Sequence, residues 1–208
     1  MALDCPPPQR PAEPDGDGDG VVDFCDDCVG EPLESPRMTL GTFGASPRHD
    51  FVSLRARVAL PAGTQLPNPR TTWKLVEIRD AMGAPVVYAQ VPGGEYSTAT
   101  GYGWVSRRAG WLYRNRAGGF GQVERMTLDP APDGGNAIDV HIRARRSTLG
   151  VTAAVLPLRL KLILDGLGPS VQCGEQRFAA VPAAGPTCAS SRNGSVLSAA
   201  GQARVNGT

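Results

Sequence analysis

Hydrophobic and polar residues alternate along three stretches of the chain. Residues 52–60 carry Val, Leu, Ala, Val and Leu at every second position, residues 138–144 carry Ile, Val, Ile and Ala, and residues 156–164 carry five leucines. A period of two places one side of a strand on a core and the other side in water. A helix is the alternative for the leucine-rich stretch, but Pro157 and the strict alternation favour a strand. The pattern therefore predicts three amphipathic β-strands.

Five further segments are rich in β-branched and aromatic residues and are predicted to be shorter strands. They are residues 71–79, 86–91, 103–107, 111–114 and 120–128. Turn-forming sequences separate them, in a chain that contains 26 Gly and 19 Pro. We therefore predict a mainly β fold, an antiparallel β-sandwich of about eight strands.

Composition divides the 208 residues into three predicted parts. Residues 1–37 form a Pro-, Gly- and Asp-rich arm with ten acidic and two basic side chains, a net charge of −8, and residues 38–168 form the β body. Residues 169–208 form a Gly/Ser/Ala-rich tail, and residues 38–208 together carry a net charge of +9. No apolar run is long enough to predict a membrane span, and the first residues lack the features of a signal peptide.

The arm contains a pattern typical of a Ca²⁺ loop. In a twelve-residue frame that starts at residue 15, glycine occupies position 6 and carboxylates occupy positions 1, 3, 5, 9 and 12. The predicted side-chain ligands are Asp15, Asp17, Asp19, Asp23 and Asp26, and Val21 at position 7 is predicted to contribute its carbonyl. Shifting the frame by two residues destroys the match. A solvated acidic linker and a zinc site are the alternatives.

The segment 15–28 resembles a thrombospondin type 3 repeat, which spaces its aspartates in this way and has a cysteine close after the last one. The resemblance implies a helix-free calcium loop in an extracellular protein whose cysteines form disulfides. The chain departs from the family in carrying one repeat and in having Cys25 inside the loop. A dockerin-type loop would need a following helix, which Pro32 and Pro36 disfavour.

Five cysteines fall into two groups along the chain. Cys5, Cys25 and Cys28 lie in the arm, and Cys173 and Cys188 lie in the tail. This grouping suggests local disulfides, among them a Cys173–Cys188 bridge that closes a short loop, with one cysteine left over. A zinc site that combines Cys25 and Cys28 with the tail pair is less favoured, because the fourteen residues between the tail cysteines do not match a zinc knuckle.

Basic residues occupy the polar side of the alternating strands. They are Arg55, Arg57, Arg143, Arg145, Arg159 and Lys161. If these strands are neighbours, one sheet face would be basic. We expect a solvated face whose arginines also keep edges from pairing with other chains, and the alternative is a surface that binds anionic polysaccharide, lipid headgroups or nucleic acid through charge. Base-specific nucleic-acid recognition is not indicated, because aromatics are not interleaved with the basic positions. Trp104 and Trp111 are predicted to fill the core, and a sugar-stacking platform is the alternative.

Catalytic chemistry has little support in the sequence. The two histidines, His49 and His141, have no recognisable catalytic partner, and no nucleophile elbow or phosphate-binding loop is present. We therefore expect a calcium-binding, non-catalytic module of bacterial type, secreted or on the cell surface, with a structural or adhesive role. Its expected partners are polysaccharide or another surface protein. The alternatives are a carbohydrate- or polyanion-binding β-sandwich and an enzyme of an unrecognised kind.

Overall fold

The computed structural model describes residues 33–41, 50–64, 68–116, 123–147, 157–165, 172–180, 187–190 and 196–200. This part of the chain is all β, with twelve strands and no helix. The strands are β1 Glu34–Gly41, β2 Asp50–Ala59, β3 Lys74–Arg79, β4 Pro85–Val91, β5 Tyr102–Arg107, β6 Gly110–Asn115, β7 Val123–Pro130, β8 Ala137–Ser147, β9 Leu158–Asp165, β10 Gln172–Ala180, β11 Thr187–Ser190 and β12 Val196–Ala200. Within the described ranges, no helix is long and apolar enough to cross a bilayer.

The strands follow one hydrogen-bonded order that folds back on itself. The order is β4-β3-β9-β10-β11-β12-β1-β2-β8-β7-β6-β5. All neighbours are antiparallel except β10 and β11, which share two parallel residue pairs. Six strands, β1-β2-β8-β7-β6-β5, form one layer and four, β4-β3-β9-β10, form the other. The predicted mainly β, sandwich-like architecture is confirmed.

One core lies between the two layers. Leu54 of β2 and Ile142 of β8 face it from the six-strand layer, and Ile78 of β3 and Leu160 of β9 face it from the four-strand layer. None of these four side chains is more than 1% exposed. Burial of each such side chain contributes roughly 1.5–3 kcal/mol. The alternation in the sequence thus corresponds to an inward and an outward side on every main strand.

Hydrogen bonds at two corners join the layers. After β4, Tyr96 donates its amide to the carbonyl of Trp104 in β5, and the amide of Trp104 is bonded to the carbonyl of Gly94, both at 3.0 Å. At the other side, Leu33 donates its amide to the carbonyl of Glu175 in β10, also at 3.0 Å. Backbone hydrogen bonds therefore link the two described layers at both corners.

All eight strands predicted from the sequence are present, and the described residues contain four more that were missed. The missed strands are β1, β10, β11 and β12. In β1, a positive φ of 46° at Ser35 and a register shift between Glu34 and Arg37 interrupt the pattern. The division into arm, body and tail stays a prediction, although β1 crosses residue 37 and three strands lie within residues 169–208.

The crowded backbone at Gly103 in β5 predicts that alanine is more destabilising there than at an uncrowded glycine. Gly103 has a φ of 134°, and a Cβ atom there would lie 2.5 Å from the carbonyl oxygen of Glu95. Gly134 also has a positive φ, 70°, but a Cβ there would meet no atom within 4 Å. We expect Gly134→Ala to lower the free energy of unfolding by about 1 kcal/mol, and Gly103→Ala to lower it by about 3 kcal/mol because the clash adds to the strain. Urea titration of both variants measures the difference, and equal losses would contradict it.

Candidate functional site

The outer side of the six-strand layer carries five arginines, which we call the arginine face. Each is exposed, and each lies on a different one of five adjacent strands. They are Arg114 on β6, Arg125 on β7, Arg143 on β8, Arg55 on β2 and Arg37 on β1. Their neighbours along the chain, such as Leu54, Met126 and Ile142, point into the core. The arginines are therefore held outward by the same alternation that fills the sandwich.

Three of these arginines form a row across the strands. Arg143 lies directly opposite Arg125, and Arg125 lies directly opposite Arg114. Neighbouring strands are about 4.8 Å apart, so the three arginine side chains leave the sheet at positions about that far apart. Like charges directly opposite each other destabilise a sheet. None of the three has a described hydrogen-bond or ion-pair partner.

A second row lies two residues further along the strands. Arg37 is opposite Arg55, Arg55 is opposite His141, and His141 is opposite Thr127. Arg37 and Arg55 likewise have no described acidic partner. The two rows together carry five positive charges with no described carboxylate between them.

The next row on the same face is neutralised. Arg57 donates from Nε to Asp139 Oδ1 at 2.8 Å and from a terminal nitrogen to Asp133 Oδ2 at 2.7 Å. Beside this pair, Arg107 lies 3.3 Å from Asp129 Oδ2. The hydrogen bond from Arg57 to Asp139 raises the pKa of the guanidinium above its usual value. A backbone bond from Gly135, followed by the interaction with Arg57, lowers the pKa of Asp133.

An open groove of about 1100 Å³ runs over this surface. Its lining combines the guanidinium groups of Arg55, Arg125 and Arg143 with hydroxyl groups of Thr39 and Ser53. Arg145 lines its end and lies 3.7 Å from Glu124. Such a groove can hold an extended anionic ligand through charge-assisted hydrogen bonds from guanidinium forks.

The structure brings together only part of the basic set predicted from the sequence. Arg55 and Arg143 lie on the arginine face, Arg57 is in the neutralised row, and Arg145 is beside Glu124. Arg159 and Lys161 lie on β9, in the other layer, where both form ion pairs with Glu175. The prediction of a single basic surface fails for these two residues because β9 is not a neighbour of β2 or β8.

Three members of the arginine face were missed in the sequence. Arg125 belongs to the alternation Arg125, Thr127, Asp129, which would have revealed its outward position. Arg37 and Arg114 lie in short segments without a long pattern, and only the strand order shows that they join the same surface. The register across strands therefore carries the missing information.

The predicted calcium ligands, residues 15–26, lie outside the described residues, as do His49, Cys5, Cys25 and Cys28. Within the described ranges no group of three or more His, Cys, Asp or Glu side chains is placed to hold a metal ion. His141 is exposed, as its strand position predicted.

The local Cys173–Cys188 bridge is incompatible with the strand register. Cys188 of β11 lies opposite Ala180 of β10. Cys173 is seven residues before Ala180 on the same strand, a distance of about 23 Å in an extended chain. Disulfides join Cα atoms that are roughly 4.4–6.8 Å apart. This pairing, suggested by sequence proximity, is therefore wrong.

The aromatic cluster belongs to the core, as predicted. Trp104 is fully buried, packs on Tyr113 with a ring-centroid distance of 5.4 Å, and donates from Nε1 to the carbonyl of Pro92. Trp111 is half-buried beneath the guanidinium of Arg70, 5.0 Å from the ring centre. Burial raises the pKa of Tyr113 above its usual value. Trp104 and Trp111 therefore do not form an exposed stacking platform.

Lys74 is a buried cation at the start of β3. Its side chain is fully shielded, and Nζ donates to the carbonyl and hydroxyl oxygens of Thr72 at 3.1 and 2.7 Å. Burial lowers the pKa of Lys74 to about 8, and the charge of Asp165 partly opposes this shift. Because the buried amine is bonded to its own chain at Thr72, we assign it a structural role.

The lowered pKa of Lys74 predicts a pH dependence of stability. Between pH 8 and about 10 the unfolded chain holds the proton of this lysine while the folded protein releases it, so its contribution to stability rises with pH. We expect the difference in free energy of unfolding between the wild type and a Lys74→Met variant to shift by about 2 kcal/mol in favour of the wild type from pH 8 to pH 10. Denaturant titrations at pH 8, 9 and 10 measure this gain. An exposed control, Arg177→Met, should show no such trend, and a pH-independent difference for Lys74→Met would contradict the assignment.

No protein family model matches this chain, and no curated protein or solved structure matches it. The function is therefore inferred from the geometry of the described residues and from the motif in the arm.

Proposed function

We propose that this chain is a non-catalytic β-sandwich module of the cell exterior, and that its arginine face binds a linear anionic polysaccharide. The observation that carries the proposal is the contrast between rows on one surface. Two rows hold five arginines without described acidic partners, whereas the adjacent row pairs Arg57 and Arg107 with aspartates. A folded protein that tolerates opposed arginines on adjacent strands gains stability when an anion lies between them.

Polysaccharide is favoured over nucleic acid by the chemistry of the groove. Proteins that bind single-stranded nucleic acid place aromatic side chains between basic ones so that bases can stack. Two aromatic rings line the groove among the described residues: Phe51, which packs over Gly41 and lies opposite Arg145, and His141, which lies opposite Arg55. Neither lies between Arg114, Arg125 and Arg143, which are direct neighbours in the first row. The hydroxyl groups of Thr39 and Ser53 are suited to sugar hydroxyl and sulfate groups.

Substitution of one arginine tests this function against a matched control. Arg125→Gln removes a charge from the first row, and Arg177→Gln removes an exposed strand arginine from the opposite layer. We expect Arg125→Gln to weaken binding to heparin about fivefold to tenfold, equivalent to about 1 kcal/mol, because one charge-assisted contact is lost. Arg177→Gln should change the affinity less than about twofold, since its charge is screened at that distance.

The measurement is fluorescence or calorimetric titration with heparin and with dextran sulfate, in EDTA so that calcium cannot bridge. Equal losses for the two variants would indicate unspecific attraction by net charge and would overturn the assignment to the arginine face. Absence of binding at low salt would overturn the proposal as a whole. Tighter binding to single-stranded DNA of equal charge would assign the face to nucleic acid instead.

We infer a second, independent site in the arm, where residues 15–26 bind one Ca²⁺. The support is the single frame that aligns five aspartates with glycine at position 6. The ion would neutralise part of a segment that otherwise repels itself, which makes its role structural. Extracellular sites of this kind bind Ca²⁺ with dissociation constants of about 10⁻⁴ to 10⁻³ M, so the site would be filled outside a cell.

Two aspartates that are neighbours in the sequence test the calcium frame. Asp26→Asn removes the ligand at position 12, whereas Asp27→Asn changes the next residue, outside the frame. We expect Asp26→Asn to weaken Ca²⁺ binding at least about tenfold, because position 12 supplies a charged ligand, and Asp27→Asn to keep it within about twofold. Isothermal titration with CaCl₂, and with MgCl₂ for comparison, measures both. Equal effects of the two substitutions would exclude this frame.

A further inference from the structure

The five arginines of the arginine face form a line with a step in it. Arg114, Arg125 and Arg143 lie in the first row, and Arg55 and Arg37 lie in the second. Between β8 and β2 the line changes rows, so Arg143 is a diagonal neighbour of Arg55 and not its direct partner. Diagonal neighbours in a sheet are about 7–8 Å apart, against about 5 Å for direct partners. The widest gap between successive arginines of the line is therefore at this step.

His141 lies at the step. It is opposite Arg55 on β2 and opposite Thr127 on β7, and Arg143 is two residues further along its own strand. It is exposed, and it lines both the large groove and a smaller cavity of about 260 Å³ that shares Arg55 with that groove. The opposite corner of the step is Ser53, the direct partner of Arg143. An anionic chain that follows the line of arginines thus passes over the imidazole.

Charged groups face His141 from its own strand and from the two neighbouring strands. They are Asp139 and Arg143 on β8, Arg55 and Arg57 on β2, and Arg125 and Asp129 on β7. Arg57 binds Asp139 at 2.8 Å, and Arg107 lies 3.3 Å from Asp129. Beyond β2, Glu34 of β1 lies opposite Arg57 and lines the smaller cavity. In the part of the chain that the structure describes, His141 itself forms no ion pair.

We propose that His141 is a sixth cationic ligand-binding residue of the arginine face, and that the face therefore binds its polyanion more tightly in acid. The inference rests on the proposed function. Histidine is the side chain whose charge ordinarily changes between pH 5 and 8. The charged ring donates from both nitrogens, whereas the neutral ring donates from one, so a sulfate or carboxylate group at the step binds the charged form better. Binding then takes up a proton, and the affinity rises as the pH falls.

Titration with dextran sulfate at two pH values tests the role of His141. The sulfate esters of this polymer stay ionised between pH 5.5 and pH 7.5, so a change in affinity comes from the protein. We expect the wild type to bind about fivefold more tightly at pH 5.5 than at pH 7.5, because one charge-assisted contact is gained. Fluorescence titration of the full chain, at constant low salt and in EDTA, measures this ratio.

Three variants separate His141 from the other groups that titrate. His141→Gln should bind with the same affinity at both pH values, within about twofold, because the titrating ring is gone. His141→Lys keeps its charge throughout and should bind at pH 7.5 about as tightly as the wild type does at pH 5.5. His49→Gln is the matched control: it removes the other of the two histidines and should keep the wild-type pH dependence. Melting temperatures check that each variant is folded.

The outcomes distinguish this inference from the proposed function. A pH dependence that persists in His141→Gln, or that disappears in His49→Gln, would overturn the role of His141, as would a His141→Lys variant that binds no more tightly at pH 7.5 than the wild type. Equal affinity of the wild type at both pH values would overturn this inference and leave the proposed function standing. Absence of binding at both pH values in low salt would overturn the proposed function and this inference with it.

Calorimetry gives a second readout, the number of protons taken up on binding. Titrations at pH 6.5 in two buffers of different ionisation enthalpy measure this number. We expect the wild type and His49→Gln to take up a fraction of one proton with dextran sulfate, and His141→Gln to take up none. Proton release by the wild type, or the same uptake by His141→Gln, would contradict the assignment.

Discussion

The register between β2 and β8 determines both the core and the outer surface of this protein. Leu54 lies opposite Ile142 on the inner side, and one residue further Arg55 lies opposite His141 on the outer side. A slip of one residue would exchange these faces and bury arginine in place of leucine. The same alternation of residues that places leucine and isoleucine in the core therefore places arginine on the outer surface.

Electrostatics divides the outer surface into two regions with different consequences. Where Arg57 meets Asp139 and Asp133, opposite charges support the pairing of β2 and β8. Where Arg143 meets Arg125, repulsion of about 0.2–1 kcal/mol per opposed pair works against the sheet. The buried residues behind this region offset that cost. In the proposed function, the unpaired charges are retained at this cost in stability because they bind the ligand.

Local patterns in the sequence were sufficient for the strands whose inner and outer sides differ along their whole length. They failed for β10, in which Gly174 and the buried Glu175 break the contrast between the two sides. Glu175 is tolerated there because Arg159 and Lys161 reach it from β9, a contact that depends on tertiary pairing. The arginine face was predicted in part for the same reason. The outward direction of Arg55 and Arg143 is local information, but the adjacency of β7, β6 and β1 is not.

The arrangement of arginines across the strands rather than along them has a consequence for how ligand and protein assemble. Five adjacent strands cover a width of about 19 Å, which in the proposed function sets the length of polymer that one copy would contact. A longer polysaccharide would extend beyond both sides of the face and leave further segments for other copies to bind. Avidity requires linked binding sites, so separate copies with one such face each would coat the polymer side by side rather than cap its end.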